Sequence, residues 1–282
     1  MQFSVKLGIA LVSALATISP AIAQSDETGP FDGGYLGLAI GYSKQRGDGG
    51  SQILFDRNLD GKFGDTIPTT TATNAPNAFS PGFCGGAAKT NAPAGGCSGD
   101  KDGYDIAFRA GGDGQFGHLV IGGLVEFGKT DIRDSVSAFA VTPDSYTLTR
   151  KISYNGRVAV RGGFALGNTL LYGMGGLSFA RIRNSFATTN TVNRFTGNGD
   201  SGAQGYNFGG GLEHKFSPQF GVGIEYLFTD LKDDKFKLRV GKLATTPATN
   251  IFILGNQLGT DLARSDTHFR YQTVRLTFRY GF

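Results

Sequence analysis

The last ten residues of the chain, Thr273 to Phe282, constrain its fold more than any other stretch. Apolar Val274, Leu276, Phe278, Tyr280 and Phe282 alternate with Thr273, Arg275, Thr277, Arg279 and Gly281. A period of two is that of a β-strand, whose successive side chains point to opposite faces. A soluble sheet alternates as well, but it rarely sets two arginines on one face of a short strand against an unbroken apolar row that ends on an aromatic. Hydrocarbon outside and a polar lumen inside account for both faces, so the pattern predicts a strand of a transmembrane β-barrel.

The same reading predicts eight strands, near 34–44, 104–115, 118–133, 151–166, 169–184, 205–216, 219–230 and 268–282. Each has the length that a tilted strand needs to cross a membrane, about 9–11 residues. Outward rows include Leu36, Leu38, Ile40 and Tyr42 on the first strand, and Phe220, Val222, Ile224, Tyr226 and Phe228 on the seventh. On the fourth strand Ile152, Tyr154, Val158, Val160 and Phe164 are expected to face lipid. The fifth strand is less polarised, and Arg181 and Arg183 suggest that its odd positions face the lumen.

Three predicted connections are tight, at 116–117, 167–168 and 217–218, whereas the other four are long, the first spanning about 45–103. Short turns on one side and long loops on the other mark outer-membrane barrels, with periplasmic turns and extracellular loops. The expected fold is therefore all-β: an eight-stranded antiparallel up-and-down transmembrane β-barrel with both mature termini in the periplasm. Its lumen would hold Arg109, Arg157, Arg161, Arg275 and Arg279 against Asp105, Glu126, Glu213 and Glu225. An eight-stranded barrel is just wide enough for side chains to fill it. Unpaired charge in so narrow a space is expensive, so these groups are expected to form an ion-pair plug.

Export agrees with this destination. Lys6 precedes an apolar run too short to span a bilayer, and Ala21-Ile22-Ala23 offers a small-x-small cleavage pattern. Residues 1–23 are expected to be a signal peptide and 24–282 the barrel. The net charge of +4 is spread over a chain with only 18% charged residues, too little for a nucleic-acid footprint. Cys84 and Cys97, the only cysteines, would form a disulfide in an oxidising compartment.

The first loop carries one metal-like motif. Asp56-Arg57-Asn58-Leu59-Asp60-Gly61 fits the start of a calcium loop, with oxygens at positions 1, 3 and 5 and the Lys62 carbonyl at position 7. Ile67 stands where a bidentate Glu is usual; Asp65, or the acidic run Asp100-Lys101-Asp102-Gly103-Tyr104-Asp105 brought back by a Cys84–Cys97 link, would substitute for it. The competing reading is a solvated Asp/Asn/Gly turn. The sequence requires no cofactor, and calcium is the one candidate.

Several segments also carry a family resemblance: Gly34-Tyr35-Leu36-Gly37, Gln115-Phe116-Gly117-His118-Leu119-Val120-Ile121-Gly122, Gly209-Gly210-Gly211-Leu212-Glu213 and Gly223-Ile224-Glu225-Tyr226-Leu227-Phe228. With the terminal Phe282 they resemble the small outer-membrane β-barrel surface proteins of alphaproteobacteria, relatives of OmpA-type membrane domains. The resemblance covers the strands, not the long loops. It implies outer-membrane lipid as the surroundings and the barrel-assembly machinery as the reader of the C-terminal strand. It also brings in hemin, bound by some members, for which His268 or a loop tyrosine such as Tyr146 would serve as ligand.

Three roles follow from the sequence: a structural surface protein that displays loops, a small porin-like channel, or a loop-mediated receptor or adhesin. Catalysis is not expected. His118 and His214 border predicted periplasmic turns while His268 lies at the opposite end, so no triad or histidine cluster forms at one level.

Overall fold

The computed structural model describes residues 29–46 and 50–282; the expected signal peptide lies outside the described residues. Eight long strands form the barrel: β1 (Gly33–Gln45), β2 (Gly103–Phe116), β3 (Leu119–Thr130), β4 (Ser145–Leu166), β5 (Thr169–Thr188), β6 (Ser201–Lys215), β7 (Phe220–Lys232) and β8 (His268–Gly281). Each pairs antiparallel with its sequence neighbours, and β1 pairs with β8 from Tyr35–Gly281 to Gln45–Tyr271. The barrel is therefore closed. Closure removes the sheet edges whose unsatisfied backbone groups hydrocarbon does not tolerate.

The two shortest turns begin with Gly117 and Gly167, at φ +59° and +56°. A two-residue hairpin of type II′ needs this backbone at its first central position, and glycine adopts it without steric cost. The outer face is apolar as expected, with Phe108, Phe127, Val160, Phe164, Leu171 and Leu276 all exposed. Such an exposed apolar surface suits a hydrocarbon surround.

Two expectations about facing are corrected. On β5 the even positions face inward: Leu170, Tyr172, Met174, Ser178, Ala180 and Ile182 are buried, while Leu177, Phe179, Arg181 and Arg183 are exposed. The arginines lie at the extracellular end of the strand, where an outward charge reaches water and headgroups. On β4, Ile152 is wholly buried instead of facing lipid. Arg181 pairs with Tyr154 but Ile182 pairs with Ile152, so Ser153 is an extra residue that bulges the strand and reverses its alternation.

β4 has 22 residues and β5 has 20, about twice what a crossing needs. Their outer halves rise above the membrane, where the strand Arg133–Phe139 pairs with β4 and Gly82–Gly85 pairs with Arg133–Phe139. Beside them lies a second sheet in which Ile53–Asp56, Thr260–Arg264, Leu238–Lys242 and Asn193–Gly197 pair in that order. Those strands come from the first, fourth and third extracellular loops. The four loops thus fold into one cap.

Candidate functional site

The lumen is filled in layers, and the lowest layer begins outside the strands. Phe31 is fully buried at the periplasmic mouth, against Tyr35, Val120, Leu170 and Tyr172. Gln115 accepts from the Phe31 N–H at 3.0 Å, and Lys215 donates to the Pro30 carbonyl. The segment before β1 therefore stoppers the barrel.

Above it, two guanidinium groups meet two carboxylates. Arg161 donates to Asp113 at 2.8 Å and to Glu213 at 3.0 Å, and Arg279 to the same pair at 2.7 and 3.2 Å. Both guanidinium groups also lie over the Tyr35 ring, at 5.0 and 4.0 Å from its centroid. A second layer sets Arg109, Arg157 and Arg275 against Asp105, Glu126 and Glu225. Arg275 donates to Glu126 at 2.6 and 2.9 Å and to Glu225 at 2.7 Å; Arg109 grips Glu225 through two bonds of 3.2 Å. Arg157 reaches Glu126 at 3.3 Å, Asp105 lies 3.5 Å from Arg275, and the Tyr172 hydroxyl donates to Glu225 at 2.8 Å.

Formal charge balances within each layer, and every member is buried. A glycine on the neighbouring strand makes room: a Cβ at Gly37, the register partner of Arg109, would stand 2.8 Å from the Cγ of Arg109. All the expected lumen residues, Arg109, Glu126, Arg157, Arg161, Glu213, Glu225, Arg275 and Arg279, are thus brought together. Asp113 escaped the sequence reading although it shares strand parity with Asp105 and Arg109, and that parity would have found it. Tyr172 escaped it because the facing of β5 was inverted.

A third layer is apolar. Ile132, Ile152, Ala180, Ile182, Ala203, Leu231, Phe269 and Tyr271 form one buried cluster across the outer half of the barrel. Over it sits a clamp that sequence reasoning did not find. The fully buried Asp134 accepts from Arg150 Nε at 2.6 Å and also pairs with Arg264. Arg150 donates in addition to the His268 carbonyl at 2.7 Å, and Arg264 to the Leu148 carbonyl at 3.2 Å. Three separate chain segments are joined at this carboxylate. Burial pushes the Asp134 carboxyl up, but the charges of Arg150 and Arg264 outweigh it and hold the group below the ordinary carboxylate range. Nearby, hydrogen bonds from Lys151 at 2.6 Å and Lys101 at 3.0 Å lower Asp131 from 3.8 to about 2.

The cap has its own core, built from Ile53, Phe55, Ile67, Phe79, Val136, Tyr146, Leu148, Leu238, Val240, Phe252 and Leu262. Phe79 sits at its centre, 4.4 Å from Phe55, 5.6 Å from Tyr146 and 5.9 Å from Phe252, centroid to centroid. Tyr146 is 1% exposed and its hydroxyl accepts from Asn190, so it is not presented to a ligand such as hemin. Cys84 and Cys97 form the expected disulfide, next to the pairing of Ala87–Ala88 with Cys97–Ser98.

The calcium-like segment forms a turn at the end of the strand Ile53–Asp56. Asp56 accepts from the amides of Asp60 and Gly61 at 3.1 and 2.9 Å, and Asn58 from that of Asp60 at 3.1 Å. Asp60 accepts from the Lys62 amide and Asp65 from the Arg57 amide, both at 2.8 Å. Among the described residues no group of three or more acidic, histidine or cysteine side chains converges as a metal site. The histidines are dispersed: His118 contacts the Ala165 carbonyl at 3.0 Å, His214 contacts Thr169 at 2.9 Å and His268 contacts Asp230 at 2.6 Å.

Lipid-facing walls, a filled polar lumen and one-sided long loops define a small outer-membrane β-barrel. The chain belongs to the outer membrane protein beta-barrel domain family, whose model matches residues 8–282. It is similar to the 31 kDa outer-membrane immunogenic protein of Brucella melitensis biotype 1, with 24% identity over 165 residues, 58% of this chain and 60% of the relative. The match thus spans less than two thirds of that relative's length. Among solved structures it is similar to the outer membrane protein OprG of Pseudomonas aeruginosa, with 8% identity, 90% of this chain and 99% of that one covered, and a TM-score of 0.48. It is also similar to Ail, the attachment invasion locus protein of Yersinia pestis, with 11% identity, coverage of 88% and 99%, and a TM-score of 0.31. Its location is the Gram-negative outer membrane, and its surroundings are that membrane's lipid.

Proposed function

We propose that this protein is a sealed structural component of the outer membrane that presents one folded cap at the cell surface, with no catalytic chemistry and no required cofactor. One observation carries the reading: the lumen is filled from Phe31 through two charge-balanced layers to an apolar layer, and all four loops close over it. A small pore would need a continuous wet path, which this filling opposes. The relative's printed name, an immunogenic outer-membrane protein, fits a chain whose loops form a displayed surface. A receptor or adhesin role would use that cap as a rigid platform, with side chains on its outer face in place of mobile loops. The mature chain, refolded and inserted into planar bilayers, is expected to give no unitary conductance; reproducible single-channel steps would overturn the reading.

A further inference from the structure

The outward face just beyond the apolar band changes character in a regular way. On β1 the next outward position after Tyr42 is Lys44, on β3 the one after Phe127 is Lys129, and on β5 Phe179 is followed by Arg181 and Arg183. Lys232 on β7 and Arg270 on β8 occupy the same zone, all of them exposed. A cleft of about 420 Å³ interrupts this rim beneath the cap, with Arg46, Tyr206, Phe228, Asp230, His268 and Arg270 in its lining.

The backbone fixes its two exposed arginines together. The Arg46 amide donates to the Arg270 carbonyl at 3.1 Å, which continues the pairing of β1 with β8 and places the two residues side by side. Asp230 is already taken by His268 at 2.6 Å and by Arg270 Nε at 2.9 Å, and it also accepts from Tyr206. Asp266 and the buried Arg150, which also line the cleft, pair with each other at 3.4 Å. Among the described residues no carboxylate pairs with Arg46. Arg270 engages Asp230 through Nε, and among the described residues no hydrogen bond occupies its two terminal nitrogens. Toward the membrane, one outward position past Phe228 and Gln272, begin exposed Tyr226, Val274, Ile224 and Leu276.

We propose that this cleft binds the phosphate of an outer-leaflet lipid headgroup, clamped between Arg46 and Arg270, with its acyl chains laid against Tyr226, Val274 and Leu276. Arginine's planar fork matches phosphate oxygens, and the apolar wall immediately below suits an amphiphile over a soluble phosphate. The other rim cations form a less selective belt that attracts anionic headgroups in general.

The test uses the mature protein folded in phosphatidylcholine nanodiscs doped with equal traces of bisphosphorylated and enzymatically dephosphorylated lipid A, with retained lipid read by native mass spectrometry. The parent is expected to enrich the phosphorylated form by about tenfold, and millimolar inorganic phosphate should leave that preference standing. Arg46→Gln should lose most of it, and Arg46→Gln with Arg270→Gln all of it, while heat-modified gel mobility reports an intact barrel. Arg181→Gln with Arg183→Gln, on β5, should retain most of it. Equal retention of the two lipids by the parent would overturn the proposal. So would a preference that survives the cleft variants, or one that only the β5 variant removes. Displacement by inorganic phosphate would assign the cleft to the free anion and contradict the lipid assignment.

Discussion

At the scale of the residue, the lumen is a lesson in pairing. A buried ion pair is no reliable source of stability, because desolvating each charge costs several kcal/mol. Removing one member is nevertheless expensive, since its partner stays buried and uncompensated. Glu225 accepts from Arg109, Arg275 and Tyr172, so Glu225→Gln should cost about 3–5 kcal/mol, seen as a lower melting temperature in detergent. An unchanged melting curve would mean that the arginines find other partners. Asp134 and Asp131 carry the acid sensitivity of the cap. Their folded pKa values are depressed, so their contribution is complete above the ordinary carboxylate value and is lost as pH falls through the folded one. For Asp131 that window runs from 3.8 down to about 2. Tyrosine fluorescence followed through it should report loosening of the cap before the barrel unfolds, and Asp134→Asn should move the onset toward neutral pH.

At the scale of the element, periodicity made most of the fold legible. Alternation located all eight crossing strands and the ring closure, because a face against hydrocarbon tolerates no polar interruption. Leu276 lies in the middle of β8, outward and more than half exposed. Leu276→Arg should cost about 2–4 kcal/mol and reduce the heat resistance of the inserted barrel on gels; normal insertion would contradict the register. What failed was the facing of β5 and of Ile152. Arg181 and Arg183 misled because an outward arginine is harmless once the strand has left the apolar band. Ile152 misled because a bulge at Ser153 inverts the alternation, and a one-residue insertion leaves no composition signal. The strands of the cap were illegible for a different reason. Four- and five-residue segments such as Ile53–Asp56 and Leu238–Lys242 pair with partners far away in sequence, and only the fold supplies those partners.

At the scale of the whole molecule, two cores are stacked: a lumen filled by ion pairs and apolar layers, and a cap filled by aromatic side chains. The charge layers were legible because their arginines and carboxylates stand on the strand face opposite lipid. The clamp at Asp134 and the Phe31 stopper were not, because each depends on segments outside the crossing strands. The calcium-like motif forms a turn in which Asp56 and Asp60 accept from the loop's own amides. Ile53, Phe79, Val136, Phe252 and Leu262, drawn from three of the four loops, share one core that no local sequence pattern announces. Amide hydrogen exchange on the mature protein in nanodiscs tests that arrangement most directly. The backbone amides of Ile53–Asp56, Leu238–Lys242 and Thr260–Arg264 should be protected far beyond unstructured peptide and should open together, as one cooperative unit. Exchange of these segments at unstructured rates, with the barrel strands still protected, would contradict a folded cap.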